Sequence, residues 1–329
     1  MNILVTGGAG YIGAHVVDLL QQRGDKVIVV DNLSTGVAEK IKDTKLYKLD
    51  ISQDGATEEL SNIMEKNNIE AVIHFAALKQ VGESVEKPLT YYHTNLTGMI
   101  NLLTAMKNAN VKKLVFSSSA ATYGMPDVAV VTEDYNCSPI NPYGETKLIG
   151  EWMANASGSA NDLRVANLRY FNVAGAASPE LMDTAALNLV PMVFERLEKG
   201  EKPKLFGDDY ETEDGTCIRD YVHVADLADA HLAALDYLDN NDREFNTFNV
   251  GTGKGSSVKE VLDTITDVTG IDTTPEIEKR RAGDPPHLIA DVSRINDTLG
   301  WKAQHNLNDI ITSTWEAMKA NGTPLAQEN

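Results

Sequence analysis

Three residues that together can move a proton off an alcohol lie within thirty positions of one another. Tyr143 and Lys147 stand four apart in Asn141-Pro142-Tyr143-Gly144-Glu145-Thr146-Lys147. That spacing puts both on one face of a helix, and Pro142 suits its first turn. A free phenol titrates at about pH 10 and is a poor base at neutrality. A nearby ammonium, with the positive charge of an oxidised hydride carrier, favours the phenolate and suits it to general-base work. Upstream, the apolar run 114–117 leads into Ser118-Ser119-Ala120-Ala121-Thr122-Tyr123-Gly124. Ser119, at the end of that run, can hydrogen-bond the reacting oxygen. Taken alone, Tyr-x-x-x-Lys also fits a solvated tyrosine beside a lysine.

A hydride carrier has its own signature at the start of the chain. The apolar run 3–5 is followed by Thr6-Gly7-Gly8-Ala9-Gly10-Tyr11-Ile12-Gly13, then by the helical pattern Val16, Val17, Leu19, Leu20. Gly7, Gly10 and Gly13 allow a tight turn, a close approach of backbone to a pyrophosphate, and close helix packing, with a helix N-terminus facing the phosphates. The next apolar run, 27–30, ends in Asp31, 18 residues past Gly13. A carboxylate there accepts both hydroxyls of an adenosine ribose and repels a 2′-phosphate, so the pattern reads as NAD rather than NADP. An ordinary glycine turn, and Asp31-Asn32 as a plain turn pair, are the bland alternatives.

These residues need a scaffold to position them. Short apolar runs at 3–5, 27–30, 46–49, 71–77, 114–117 and 165–171 lack alternation, which suits strands buried on both faces. Helical patterns lie between them, one with Leu96, Met99, Ile100, Leu103 and Met106 at i, i+3/i+4, i+7. The expected fold is α/β, a Rossmann-type doubly wound parallel sheet over residues 1–175, followed by a smaller substrate-binding lobe over 176–329. The run 245–250 is expected to return to the first sheet.

Composition narrows the function. The chain has 329 residues and a net charge of −19, so most of its surface repels a phosphate backbone, and nucleic acid or an anionic membrane is not an expected partner. Cys137 and Cys217 are the only cysteines and have no metal-ligand spacing, so no metal is expected. No basic or apolar leader precedes the glycine turn, and no apolar run approaches membrane length, which together suggest a soluble cytoplasmic protein.

With these motifs in chain order, the sequence resembles the extended short-chain dehydrogenase/reductase family, and within it the nucleotide-sugar 4-epimerases. Further matching stretches are His74-Phe75-Ala76-Ala77-Leu78-Lys79, Val81-Gly82-Glu83-Ser84, Leu168-Arg169-Tyr170-Phe171-Asn172, Thr212-Glu213-Asp214-Gly215-Thr216, Arg219-Asp220-Tyr221-Val222-His223-Val224 and Arg280-Arg281-Ala282-Gly283-Asp284. The resemblance implies NAD held through the whole cycle. Tyr11 and Ile12 would lie at the pyrophosphate. Asp31, Asn32, Leu33, Ser34, Thr35 and Gly36 would lie at the ribose, with Asp50 and Ile51 beside the adenine. Phe75, Ala76, Ala77, Lys79, Asn95 and Phe171 would line the rest of the channel, and Lys147 would also bond the nicotinamide ribose.

For a UDP-sugar, the resemblance points to Lys79, Ser119, Tyr143, Asn172, Asn188, Leu189, Leu205, Phe206, Arg219, Arg281, Asp284 and Leu288. The two arginines suit bidentate contacts to a diphosphate, although ion pairs with Asp220 and Asp284 explain them equally well. The implied reaction is redox-neutral inversion at C4 of a UDP-hexose through a 4-keto sugar. Sugar-nucleotide dehydratases place a carboxylate after the serine motif; Ala120-Ala121-Thr122 has none, which disfavours dehydration. In this family the position of Leu288 tends to be bulky in glucose/galactose enzymes and small in those accepting N-acetylated sugars. Leucine should crowd an acetamido group. A binding module that only senses NAD is the non-enzymatic alternative, and Ser119, Tyr143 and Lys147 argue against it. The family also implies a homodimer, built on apolar faces of the helices at 96–106 and after Tyr143.

Overall fold

The computed structural model describes residues 1–185, 188–240, 246–281, 283–323 and 325. In chain order its elements are β1 (Asn2–Thr6), α1 (Tyr11–Gln22), β2 (Lys26–Asp31), β3 (Lys45–Lys48), α2 (Ala56–Asn67), β4 (Ala71–His74), α3 (Val81–Glu86), α4 (Pro88–Tyr92), α5 (Gly98–Asn108), β5 (Lys113–Ser117), β6 (Val130–Val131), α6 (Pro142–Asn161), β7 (Arg164–Tyr170), β8 (Asn172–Ala174), α7 (Leu189–Glu198), β9 (Lys204–Phe206), β10 (Ile218–His223), α8 (Val224–Tyr237), β11 (Thr247–Val250), β12 (Gly255–Ser257), α9 (Val258–Thr269), β13 (Glu276–Glu278), β14 (His287–Ala290), α10 (Ser293–Leu299) and α11 (Leu307–Ala320). They form two compact units. The first holds Met1–Gly124, Asn136–Arg169 and Ala228–Phe248; the second holds Met125–Tyr135, Tyr170–Leu227 and the chain from Asn249 onward.

The first unit is built on a seven-stranded sheet of order β11-β7-β5-β4-β1-β2-β3. β1 pairs in parallel with β2 and β4, and β5 in parallel with β4 and β7. The chain therefore winds outward from β1 in one direction, returns, and continues from β4 in the other. That reversal opens a crevice at the carboxyl ends of β1 and β4, where the glycine turn begins. The apolar runs are buried as expected of a sheet covered on both faces: Ile3, Leu4, Val5, Ile28, Val29, Val30, Val72 and Ile73 have no exposed surface. The run 46–49 is different. It forms edge strand β3, partly exposed along its length.

The helix pattern read through 96–106 is interrupted. A one-turn π-helix covers His93–Thr97 before α5 starts at Gly98, and π turns of this kind recur at functional sites. The second unit has its own sheet, β12-β10-β14-β6 with β8 beside β10, and a small parallel pair β9–β13. Its core packs Phe194, Ile265, Ile310 and Trp315.

The division between units departs from the single boundary after residue 175. The segment 125–135 belongs to the second unit because β6 pairs with β14. Ala228–Phe248 belongs to the first, where the Asn246 carbonyl accepts from the Asn167 N–H at 2.8 Å. β11 is the strand that joins the sheet beside β7; Phe245, read as its first residue, lies outside the described residues.

Candidate functional site

The first unit carries the nucleotide turn. Gly7 has φ +71°, a backbone region that glycine enters without strain. A Cβ on Gly7 would stand 2.6 Å from the Ala76 nitrogen, so the 75–77 loop lies directly against the turn. α1 starts at Gly10 with no side-chain cap and no acidic residue in its first turn. α9 and α11, by contrast, each open on a reciprocal capping box. An uncapped helix start behind glycines is a fitting place for a pyrophosphate. This chain's residues thus fit a dinucleotide.

The expected ribose and adenine residues gather on the same side. Asp31 accepts the Ala9 N–H at 3.0 Å and the Leu33 N–H at 2.8 Å. A Cβ on Gly36 would come within 2.9 Å of its carboxylate, so glycine there leaves that acid approachable. The Asn32 side chain accepts from the Ser34 N–H at 3.0 Å and donates to Asp50 at 3.2 Å. Burial alone would raise the Asp50 pKa, but bonds from Ser52 and Asn32 hold it below the usual carboxylate value. Ile51 is buried, its carbonyl taken by Asn101 at 2.8 Å. Phe75 packs 4.7 Å from the His231 ring. Asn95, in the π turn, accepts the Leu78 N–H at 2.8 Å and donates to the Leu78 carbonyl and to Thr146 on α6. It therefore ties the 75–79 loop to the helix of Tyr143. Thr35 and Lys79 are both exposed. Phe171 is buried in the second unit, its N–H on the Val250 carbonyl.

β5 and α6 place Ser119, Tyr143 and Lys147, also in the first unit. Ser119 follows the end of β5, and its Oγ accepts the Ala121 N–H at 3.1 Å. α6 opens on Asn141, whose side chain accepts from the Gly144 N–H at 2.8 Å, with Pro142 at its first position. Tyr143 and Lys147 are both buried. The Lys147 Nζ donates to the Ser117 carbonyl at 2.8 Å, and sits 5.1 Å from the Phe116 ring and 5.9 Å from the Tyr143 ring. Burial brings the Lys147 pKa down to about 8, with the carboxylate of Glu151 acting in the opposite direction. His74 stays neutral, brought down to about 3 by burial and then by Lys147, and bonds Thr6 at 2.6 Å. Tyr143 and Lys147 are thus on a single buried face, not the solvated pair that the four-residue spacing also allowed.

The second unit contains a cleft of about 290 Å³. Asn172, Asn188, Leu189, Leu205 and Phe206 line it, together with Arg219, Arg281 and Asp284. Leu288 lies on β14 in register with Arg219. Arg219 donates to the carbonyls of Ile218 and Pro285 at 2.9 and 2.7 Å and reaches Asp284 at 3.4 Å. Of the ion pairs weighed for Arg219, the one with Asp284 is therefore present. Asp220 is turned away: its carboxylate accepts the N–H groups of Thr252, Gly253 and Ala290. The Arg281 guanidinium lies 3.7 Å over the Phe206 ring. Arg196 and Lys204 also line the cleft. Sequence reading did not single these two out: Lys204 is set opposite Glu276 by the β9–β13 pairing and bonds Glu278 at 2.8 Å.

The comparisons with known proteins agree with this geometry. Residues 3–251 match the NAD dependent epimerase/dehydratase family. UDP-glucose 4-epimerase of Lactobacillus helveticus is 45% identical over 326 residues, covering 97% of this chain and 98% of that protein. A UDP-glucose 4-epimerase from Stenotrophomonas maltophila, crystallised with NAD and a formylated UDP-arabinopyranose, superposes with a TM-score of 0.91 at 42% identity over 98% of each chain. One from Bifidobacterium longum, in complex with NAD+ and UDP, does so with a TM-score of 0.89 at 37% identity, over 99% of this chain and 100% of the other. A match over residues 3–251, with a relative 45% identical along nearly the whole of both chains, makes this chain a member of the NAD dependent epimerase/dehydratase family.

Proposed function

We propose that the chain interconverts UDP-galactose and UDP-glucose by inverting C4 of the hexose, with NAD as a tightly held cofactor. The observation that carries this reading is Lys147: buried, bonded to the carbonyl of Ser117, and one helical turn from Tyr143. The nicotinamide, when bound, supplies reversible hydride exchange with C4. Tyr143 takes the O4 proton as the alcohol becomes a ketone and returns it as the opposite epimer forms. Ser119 hydrogen-bonds O4 and fixes its direction. Lys147 supplies the positive charge that favours negative charge on the Tyr143 oxygen.

Asp31 receives the adenosine ribose, and the first turn of α1 receives the pyrophosphate. On the substrate side, Arg219 and Arg281 neutralise the diphosphate, and Phe206 offers a face to the uracil. Holding the substrate by its nucleotide leaves the sugar able to turn over as the ketone. The branched side chain of Leu288 disfavours an acetamido group. A product assay tests the reading directly. Purified protein with UDP-galactose and no added NAD should yield UDP-glucose, followed by NMR of the sugar. No conversion even after NAD is supplied would overturn the assignment, and a 4-keto-6-deoxy product would replace it with dehydration.

The protein acts as a homodimer in this reading. α3, α4 and α5 all pack on α6, and these four helices leave apolar side chains in water: Leu89 is 80% exposed, Val85 63% and Trp152 60%. Exposed apolar groups on neighbouring helices are a signature of a docking face. Trp152→Asp should give a monomer by light scattering where the wild type gives a dimer. A dimeric variant, or a monomeric wild type, places the interface elsewhere or removes it. Among the described residues no helix is long and apolar enough to cross a membrane. Cys137 and Cys217, held as thiols rather than as a disulfide, and a soluble nucleotide substrate support a place in the cytoplasm.

A further inference from the structure

One turn beyond Lys147, the same face of α6 carries Glu151, which is 2% exposed. Arg169 on β7 grips its carboxylate with two bonds, Nε to Oε1 at 2.9 Å and Nη2 to Oε2 at 2.6 Å. Ser118 donates its hydroxyl to the same Oε1. Arg169 also donates through Nη1 to the Tyr123 hydroxyl at 3.2 Å. The proton transfer described above uses none of these groups.

A buried ion pair is a weak source of stability, because desolvation consumes most of the attraction. Its place in this unit points to a different role. Consecutive residues at the end of β5 are shared out among the site. The Ser117 carbonyl accepts from Lys147, the Ser118 hydroxyl bonds Glu151, and Ser119 is the residue that faces the reaction. The strand end that presents Ser119 is tied to α6 at two points, by Lys147 and by Glu151. Arg169 anchors the second tie to β7.

We infer that Glu151, backed by Arg169, is a positioning residue for the reaction: it sets Ser119 against Tyr143 and Lys147, and it supplies the negative field that keeps Lys147 an ammonium. The inference rests on the Tyr143–Lys147–Ser119 reading proposed above.

The charges around this pair set the sign of its effect. Lys147 is faced by His74 from β4, neutral as described, by the Phe116 ring and Ser117 carbonyl from β5, and by Tyr143 and Glu151 on its own helix. Glu151 is faced by Arg169 from β7, by Ser118 and Tyr123 after β5, and by the Cys137 thiol, which burial pushes up. Burial lowers the Lys147 pKa, and Glu151 is the group that opposes the fall. Removing its charge lowers that pKa further. Lys147 then loses its proton at lower pH, so the alkaline limb of activity moves down.

The test is the pH profile of kcat for Glu151→Gln in the holoenzyme with UDP-galactose. The alkaline limb should move down by about one pH unit. Below that limb, kcat should fall about 10- to 100-fold from loosened geometry, with KM little changed. Glu151→Asp, which keeps the charge, should restore the limb. Because an isolated Arg169 charge could unfold the variant, the double variant Glu151→Leu/Arg169→Met removes both charges; it should fold and still show the displaced limb. A wild-type limb and kcat in Glu151→Gln, or in the folded double variant, would overturn the inference. Tyr143→Phe run in parallel separates the two readings. If it stays fully active, the catalytic reading itself fails. If it is dead while Glu151→Gln is normal, only the positioning role fails.

Discussion

Replacing Tyr143 by Phe is expected to lower kcat for UDP-galactose about 10³-fold, about 4 kcal/mol of transition-state stabilisation, with KM nearly unchanged. The substitution removes a single oxygen. The Tyr143 ring is 6% exposed, and Phe fills the same volume, so the core around α6 is retained. Asn141 still caps the helix and Lys147 still bonds Ser117. The loss therefore falls on the chemical step. Alcohol oxidation at C4 requires that the O4 proton leave as the hydride departs, and the phenol is the oxygen base that this unit sets one turn from a buried ammonium. Steady-state epimerisation followed by NMR, with bound NAD quantified in the same sample, makes the measurement. A variant that retains NAD and turns over within tenfold of wild type would place the proton acceptor on another group.

Much of the candidate site's arrangement was legible because its residues are local in sequence. Gly7, Gly10 and Gly13 act within one turn, and Tyr143 and Lys147 within one turn of a single helix, so spacing alone expresses their geometry. Asp31 was legible because it ends the strand that follows α1. Other contributions depend on pairing distant segments. Glu151 shares a face with Tyr143 at the i+8 position, a signal present in the sequence, but its meaning comes from Arg169, 18 residues on in the next strand. Asn95 was expected only as a lining residue of the cofactor channel, whereas in the structure it also links Leu78 to Thr146. The excursion of 125–135 into the second unit was hidden for the same reason. A two-residue strand such as β6 has no period to detect, and its assignment follows from β14, which comes more than 150 residues later.

Gly13→Ala and Gly10→Ala should fail in different ways, and the contrast is the strongest test of the nucleotide turn. A Cβ on Gly13 would lie 2.3 Å from the Gly7 carbonyl oxygen and 2.8 Å from the Gly8 Cα. Both neighbours are backbone, so α1 must move off β1 or the turn must open. Overpacking of this kind costs about 1–3 kcal/mol and lowers the Tm of the NAD-free protein. The same displacement pulls the start of α1 away from a pyrophosphate, so Gly13→Ala should also purify without NAD and without epimerase activity. Gly10 is different. Its Cβ would meet only the Gly7 oxygen, at 3.3 Å, and its φ of −74° suits any residue. Gly10→Ala should keep the Tm of the NAD-free protein and yet lose bound NAD, because the methyl group occupies the side from which phosphate approaches the backbone. The measurement is the NAD released on denaturation together with the Tm of the stripped protein. Full NAD in Gly10→Ala would mean that the pyrophosphate does not approach the turn at this residue. An unchanged Tm in Gly13→Ala would mean that the helix and turn have room to separate. With both outcomes as expected, the third glycine serves packing and the second serves the ligand, the roles that their positions in the motif assign them.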